Sequence, residues 1–577
     1  MPKTRALTII AQDPSVRDGG GILRAQVEIP YEALGPGPRG YRVQVIDYDS
    51  SQRLLYEAAQ LAGSGGDPFA AACDAHLLST PAFHAQNVYA IIMRVLCRFE
   101  FALGRRLAWS FMGHQIQVAP HAFADANSYY SKEDHGLFFG YFPGHDGRPV
   151  YCCLSHDVVA HETTHALLDG LRDRYTLPSG PDQAAFHEGF GDTVALLSVF
   201  GLKEIVEELL PASEDDPTRI AKCDLTLEML RKNALLGLAE QFGQETSRFR
   251  QDVLRRAVVL PTDRDALRAP SYDECHLRGE ILTSAVLNAF LQVWRKRLEG
   301  WLPSQDDSVS LERVAEDGID AAEHLLTMAI RALDYCPVAD ITFSDFLSAL
   351  LTADFELLPD DGKYKYRPAL RDRFAEWKIE PASGRPQQST TGGVGEVGTW
   401  ERPVDEENLQ YDVVHPEGLQ RDPDEVFRFL WENRKRLGLY EDAYARVLSV
   451  RPCVRVGPDG FIIRETVSDY LQILDLEARQ LAGLGIRKPC AMPDATPVRL
   501  YGGGVMVFDD FNHLKYHVRN RLDNAQRQTE RLAYLWRNGI KDESGRYGFS
   551  DGIPAGRRFA FMHLRRAGQA RQEEWDD

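Results

Sequence analysis

The sequence predicts an α+β fold in three parts: a β-rich N-terminal lobe, an α-helical lobe and a small α+β module at the C-terminal end. Three observations predict it. Short apolar or alternating runs, separated by Gly-rich turns, fill much of the chain up to residue 153, as strands do. Apolar spacing near about 3.6 residues then dominates residues 180–382, as packed helices require. A stretch rich in Gly, Ser and Thr, Ser383-Gly-Arg-Pro-Gln-Gln-Ser-Thr-Thr-Gly-Gly-Val-Gly-Glu-Val-Gly398, interrupts that spacing, and new strands and helices follow it. The expected divisions are 1–175, which includes the helix of the main motif, then 176–382, a linker at 383–402, and 403–577.

In chain order, residues 7–10, 22–29 and 41–47 read as strands, with Gly-rich turns at 19–21 and 35–40 and a loop at 63–68. Residues 86–103 read as a core helix, because Arg94, Arg98 and Glu100 interrupt a run otherwise apolar enough to suggest a membrane. Short strands return over 107–153, and Cys152-Cys153 is expected in a buried strand as packed thiols. A helix follows, with Ser155 as N-cap, Asp157 in its first turn and Val158, Val159, Leu167, Leu168 and Leu171 as its apolar face. After a loop at 177–182, helices are expected over 225–242, 280–298, 311–333 and 343–353. Beyond the linker, 424–437 and 441–448 read as helices and 454–463 as a hairpin. Residues 498–501, 505–508 and 514–518 read as strands, with a turn at 509–512. Residues 520–536 form an Arg-rich amphipathic helix whose charges are expected to face solvent.

The richest stretch is Ser155-His-Asp-Val-Val-Ala-His161-Glu162-Thr-Thr-His165, which contains H-E-x-x-H. His161 and His165 are four apart, so a helix stacks them on one face and both imidazoles can converge on one ion. Glu162 lies beside that ion, where it could hold and deprotonate a water. A catalytic zinc site needs a third protein ligand and one open position. Leu168 and Leu171 stand where the metzincin pattern requires Gly and His, which excludes that class. Downstream, in His187-Glu188-Gly-Phe-Gly-Asp192, Glu188 can supply the third ligand from a second helix. Asp192, one turn later, can accept the free ring N–H of a ligand His and fix its tautomer.

These segments resemble the thermolysin family, the Glu-ligand zinc endopeptidases. Asp157-Val-Val-Ala-His-Glu-Thr-Thr-His165 is similar to the family's Asp-Val-Val-x-His-Glu-x-Thr-His run, and 187–192 to its Asn-Glu-Ala-x-Ser-Asp segment. Ala126-Asn127-Ser128-Tyr129-Tyr130 resembles its Asn-Ala-aromatic-aromatic edge strand. Residues 342–358 and 369–375 are similar to its closing helices, so the resemblance runs from about residue 110 to 380. It implies a two-lobe fold with the site in the cleft, one Zn2+ bound by His161, His165 and Glu188, and Glu162 as general base and proton shuttle. It implies that Asp192 orients a ligand His and that Asn127 and Ser128 bind a peptide backbone. Val158 would line an apolar pocket for the residue after the scissile bond. Tyr175 and His276 are the best matches to the family's oxyanion donors. His187 stands where the family usually has Asn, which changes a contact behind the ligands. Val199 falls where a calcium carboxylate is expected, which puts calcium dependence in doubt. The family's substrate-carbonyl Arg has four candidates: Arg248, Arg250, Arg264 and Arg268.

The net charge of −19 argues against general binding to nucleic acid or an anionic membrane. The N-terminal apolar run is too short for a secretory signal, and nine Cys without regular spacing do not make a disulfide framework. An intracellular, cytoplasmic metallopeptidase acting on a peptide or protein substrate is therefore expected, with a possible protein-partner surface in 403–577. Two other readings stay open: a zinc exopeptidase or other zinc hydrolase on the same lobes, and a non-catalytic zinc-binding scaffold.

Overall fold

A computed structural model describes residues 3–547, apart from 15–16, 19–20, 62–65, 112, 145–146, 178, 209, 214–215, 233–264, 301–305, 384–396, 403–408, 458–459 and 543. The expected helix at 225–242 and most of the expected linker fall largely outside the described residues. What is described mixes helix and strand, as an α+β fold requires.

Strands β1 (Thr4–Ile10) and β2 (Arg24–Pro30) pair antiparallel. β3 (Val43–Val45), the long helix α1 (Pro81–Leu103), and β4 (Ile116–Phe123), β5 (Ser128–Ser131), β6 (Gly136–Pro143) and β7 (Pro149–Tyr151) follow. The main sheet runs β7-β6-β4-β3, with β5 hydrogen-bonded to β6 off that path. Cys152-Cys153 is not in a strand as expected; it begins a short 3-10 turn, Cys152–Leu154, that delivers the chain into the next helix.

That helix, α2 (His156–Leu171), carries the H-E-x-x-H motif, and α3 (Pro181–Phe200) carries Glu188. Ser155 stands at the N-cap, but its hydroxyl donates to Asp157 Oδ1 at 2.7 Å instead of capping a backbone N–H. Helices α4 (Cys275–Leu298), α5 (Leu311–Ala332), α6 (Phe343–Leu357) and α7 (Tyr366–Ala375) complete this part. Asp182 at the start of α3 ties two of them together. It accepts from Arg278 Nε at 2.6 Å and from the Phe343 N–H at 3.1 Å.

After residue 408 come α8 (Pro423–Glu432), a four-stranded antiparallel meander and α9 (Ala525–Arg537). The strands are β8 (Tyr444–Val456), β9 (Ile462–Glu477), β10 (Pro497–Phe508) and β11 (Leu514–Asn520). Residues 444–448, expected in a helix, begin β8: the segment has helical propensity, but pairing of Tyr444 through Val447 with β9 overrides it. Gly502-Gly-Gly504, which split two expected strands, instead runs through the middle of β10. A side chain at Gly503 or Gly504 would lie 2.3 Å from the carbonyl of Tyr470 or Val518, so these glycines permit close strand approach.

This sheet does not stand apart from the rest. Val467, Leu471, Tyr501, Val505, Val507, Tyr516 and Val518 belong to the same buried core as α1–α6. Buried charges cross the same boundary. Asp334 accepts from Arg105 at 2.6 and 2.7 Å and also pairs with Arg455, which donates to Glu465 at 2.5 Å. Arg172, just past α2, donates to Asp469 at 2.9 Å. The expected solvated face of the Arg-rich helix is corrected too: Arg527 pairs with Asp345, and Arg531 is 3.0 Å from Asp340. Each of those arginines answers a buried carboxylate of 340–345, so it turns inward. Among the described residues no helix is long and apolar enough to cross a membrane.

Burial by itself would raise the Asp334 carboxyl, but Arg105 and Arg455 more than offset it and hold it well below the usual range. Because the folded value is depressed, this contribution is present above the ordinary carboxylate value of 3.8 and is lost as pH falls below it. Asp334→Asn takes the carboxylate partner from buried Arg105 and leaves Arg455 with Glu465 alone, and is expected to cost about 3–5 kcal/mol in urea unfolding at pH 7. A loss below about 1 kcal/mol, the scale of an exposed pair, would show that this contact does not hold the sheet in place.

Candidate metal centre

Residues from α2, α3 and the start of α4 converge in the interior. His161 and His165 stack one turn apart on α2, with ring centroids 4.3 Å apart and planes nearly perpendicular. His161 Nε2 is 3.5 Å from Glu188 Oε2, and His165 Nε2 is 3.6 Å from Glu188 Oε1. One ligand atom from each of the three lies within 4.8 Å of the others. Donors about 2.0–2.1 Å from a tetrahedral ion stand about 3.3–3.4 Å apart, so this spacing fits a shared divalent ion with little movement. Two imidazoles and a carboxylate are also a donor set such an ion accepts.

Outer partners aim the rings. His161 Nδ1 is 2.7 Å from Asp192 Oδ1, the contact expected of Asp192, and this directs Nε2 inward. His165 Nδ1 is 2.8 Å from His187 Nδ1, so the His in place of Asn meets the His165 ring. His276 repeats the pattern from the first turn of α4. Its Nδ1 is 2.7 Å from Glu274 Oε1, and its Nε2 is 3.5 Å from Glu188 Oε2. Glu274 also caps α4 by accepting the Leu277 N–H at 2.8 Å. Burial would raise the Glu274 carboxyl, but the His276 ring and the backbone N–H groups of Leu277 and His276 bring it down to about 2. Sequence reasoning missed Glu274, although its place two residues before His276 at a helix start was a usable signal.

Glu162 is fully buried, and its Oε2 accepts the Tyr130 backbone N–H at 3.1 Å. The Tyr130 hydroxyl donates to Asp169 Oδ2 at 3.0 Å, one turn beyond His165, so α2 holds edge strand β5 at two points. All four residues of β5 are in register with β6, and the Tyr130 amide faces the motif. Asn127 and Ser128 lie where β5 begins. Both are largely buried, and Asn127 Oδ1 accepts the Ser128 N–H at 2.9 Å. Val158 is buried in the first turn of α2.

Tyr175 is not brought to this centre. Its hydroxyl donates to the Pro337 carbonyl at 2.5 Å, and its ring packs edge-on against Phe186 in the core. The family resemblance made it a candidate donor, but the 3-10 turn Asp173–Thr176 carries it toward the 333–340 segment. Burial first, and nearby Cys336 second, push its hydroxyl well above the usual phenol value. Of the four arginine candidates, Arg248, Arg250 and Arg264 lie outside the described residues. Arg268 is exposed, 3.7 Å from Asp265.

No protein-family model matches the chain, and no curated protein matches it either.

Asp192→Ala is expected to weaken divalent-metal affinity about 10–100-fold in chelator competition, because His161 loses the partner that fixes its ring. Unchanged affinity would mean that His161 does not depend on Asp192 for its orientation.

Proposed function

We propose that the chain is a zinc-dependent metalloendopeptidase with a thermolysin-like arrangement of two lobes. The observation that carries this reading is the pairing of a three-ligand set, His161, His165 and Glu188, with Glu162. Glu162 adjoins the ligands without belonging to them and is fastened to an edge strand. Structural zinc sites close all four positions with protein, often with Cys, and have no use for such a carboxylate. When bound, zinc would polarise the scissile carbonyl and lower the pKa of water toward about 7.

The chain's own residues supply the rest. A peptide laid along β5 would present its carbonyl over α2, with Val158 beside the residue after the cut. Glu162 would take a proton from the attacking water and deliver it to the leaving amine. His276, its Nδ1 held by Glu274, would direct Nε2–H at the oxygen on which charge develops. Tyr175 has no part in this proposal, because its hydroxyl is spent on Pro337. An intracellular setting, a restrained activity and a partner surface in 403–577 belong to the same proposal.

One observation favours a second reading, a non-catalytic zinc site. His276 Nε2 lies as close to Glu188 as His161 Nε2 does, so it could close the fourth position.

Cleavage of a library of N- and C-blocked peptides tests the main reading. Glu162→Gln is expected to keep its zinc and lose about 10²–10⁴-fold in turnover; turnover near wild type would remove Glu162 from the chemistry. His276→Gln is expected to lower kcat about 10²–10³-fold with zinc retained. Loss of zinc on that substitution would support the closed, structural site. Tyr175→Phe should leave the rate unchanged and cost about 1 kcal/mol of stability.

A further inference from the structure

Another convergence of ligand side chains lies in the N-terminal lobe. His84 is in the first turn of α1, His121 is on β4, and Cys153 is in the turn leading into α2. One ligand atom from each falls within 4.8 Å of the others, and none of the three is more than 1% exposed.

The protons of the two rings do not balance without a cation. His121 Nδ1 is 2.7 Å from Asp47 Oδ2, and Asp47 Oδ1 accepts the His121 backbone N–H at 3.0 Å. An ionised carboxylate only accepts, so the His121 ring proton sits on Nδ1 and Nε2 carries a lone pair. His84 Nε2 is 3.1 Å from the Leu78 carbonyl, which also only accepts, so His84 Nδ1 carries a lone pair. Yet His84 Nδ1 and His121 Nε2 face each other at 2.7 Å. Either a further proton or a metal ion must reconcile the two lone pairs.

Two features favour the metal. A carboxylate on one ring and a backbone carbonyl on the other are the outer contacts that metal-binding histidines make. Cys153, which a proton-sharing pair does not need, offers sulfur at the same point. We propose that His84 Nδ1, His121 Nε2 and the Cys153 thiolate hold a Zn2+ ion through three protein ligands, distinct from the His161–His165–Glu188 centre. Thiolate and imidazole suit zinc, and the Cys153 and Asp47 negative charges balance the ion in this buried site. The nitrogens must part to about 3.3 Å, an opening of about 0.6 Å. Binding breaks the Cys153 S–H bond, and the proton leaves to solvent with any proton shared between the rings; no redox change is involved. The ion would fasten α1, β4 and the turn into α2 together, and so fix where the H-E-x-x-H helix begins.

The test uses the full chain, produced with Co2+ in place of Zn2+. Two metal equivalents are expected, with a near-ultraviolet sulfur-to-cobalt charge-transfer band that the His2Glu centre cannot give. Cys153→Ser should remove the band and one equivalent. Cys275→Ser, at the cysteine beside His276, should leave both. Zinc-edge X-ray absorption of the wild-type protein needs no variant and is expected to show a sulfur neighbour at about 2.3 Å. A single equivalent without sulfur in the wild type, or a band lost with Cys275 and kept without Cys153, would overturn the proposal.

Discussion

The candidate metal centre depends on how closely three helices approach. A methyl group at position 191 would stand 3.0 Å from the His161 ring. One at position 189 would stand 2.6 Å from the Gly279 carbonyl, and one at 279 would stand 2.9 Å from the Gly189 nitrogen. Gly189 and Gly191 flank Phe190 on α3, immediately after Glu188. The side chains they lack make room for α2 on one side and α4 on the other. Without that room, Glu188 could not meet His161 and His165, and His276 could not reach the same carboxylate.

Close approach places the rings, and a layer of polar partners turns them. His161, His165 and His276 each direct Nε2 toward Glu188, and each has Nδ1 engaged behind it, by Asp192, His187 and Glu274 respectively. Fixing one nitrogen fixes the direction of the other, so the geometry does not rest on packing alone. Edge strand β5 belongs to the same construction. Tyr130 reaches α2 through both its amide and its hydroxyl, which couples the place where a peptide could lie to the helix that carries Glu162.

The C-terminal sheet bears on the same helices from their far ends. Arg172 lies seven residues after His165, about 10 Å along a helix, and there it meets Asp469. Asp334, Asp340 and Asp345 lie between α5 and the start of α6, and each is answered by an arginine from the C-terminal part. Buried carboxylates of this kind require partners, because an isolated charge in the interior costs several kcal/mol. The sheet is therefore part of what keeps the helical ends closed, with core and charges both continuous across the boundary.

How much of this was legible follows from how local each feature is. The four-residue spacing of His161 and His165, the identity of Glu188, and the turn between Glu188 and Asp192 depend on helix geometry, and the sequence by itself determined them. The long amphipathic helices and the first strands follow from the same short-range periodicities. Contacts between distant segments were decided only by tertiary structure. Nothing near Tyr175 in sequence shows that Pro337 will take its hydroxyl, and nothing near Arg527 or Arg531 shows that buried aspartates wait some 180–190 residues earlier. The same holds for 444–448, where pairing with β9 overrode a helical pattern, and for Cys153, whose neighbours His84 and His121 come from a helix and a strand far upstream. Periodicity reports which face of an element is apolar; which partner meets that face is set by packing across the whole chain.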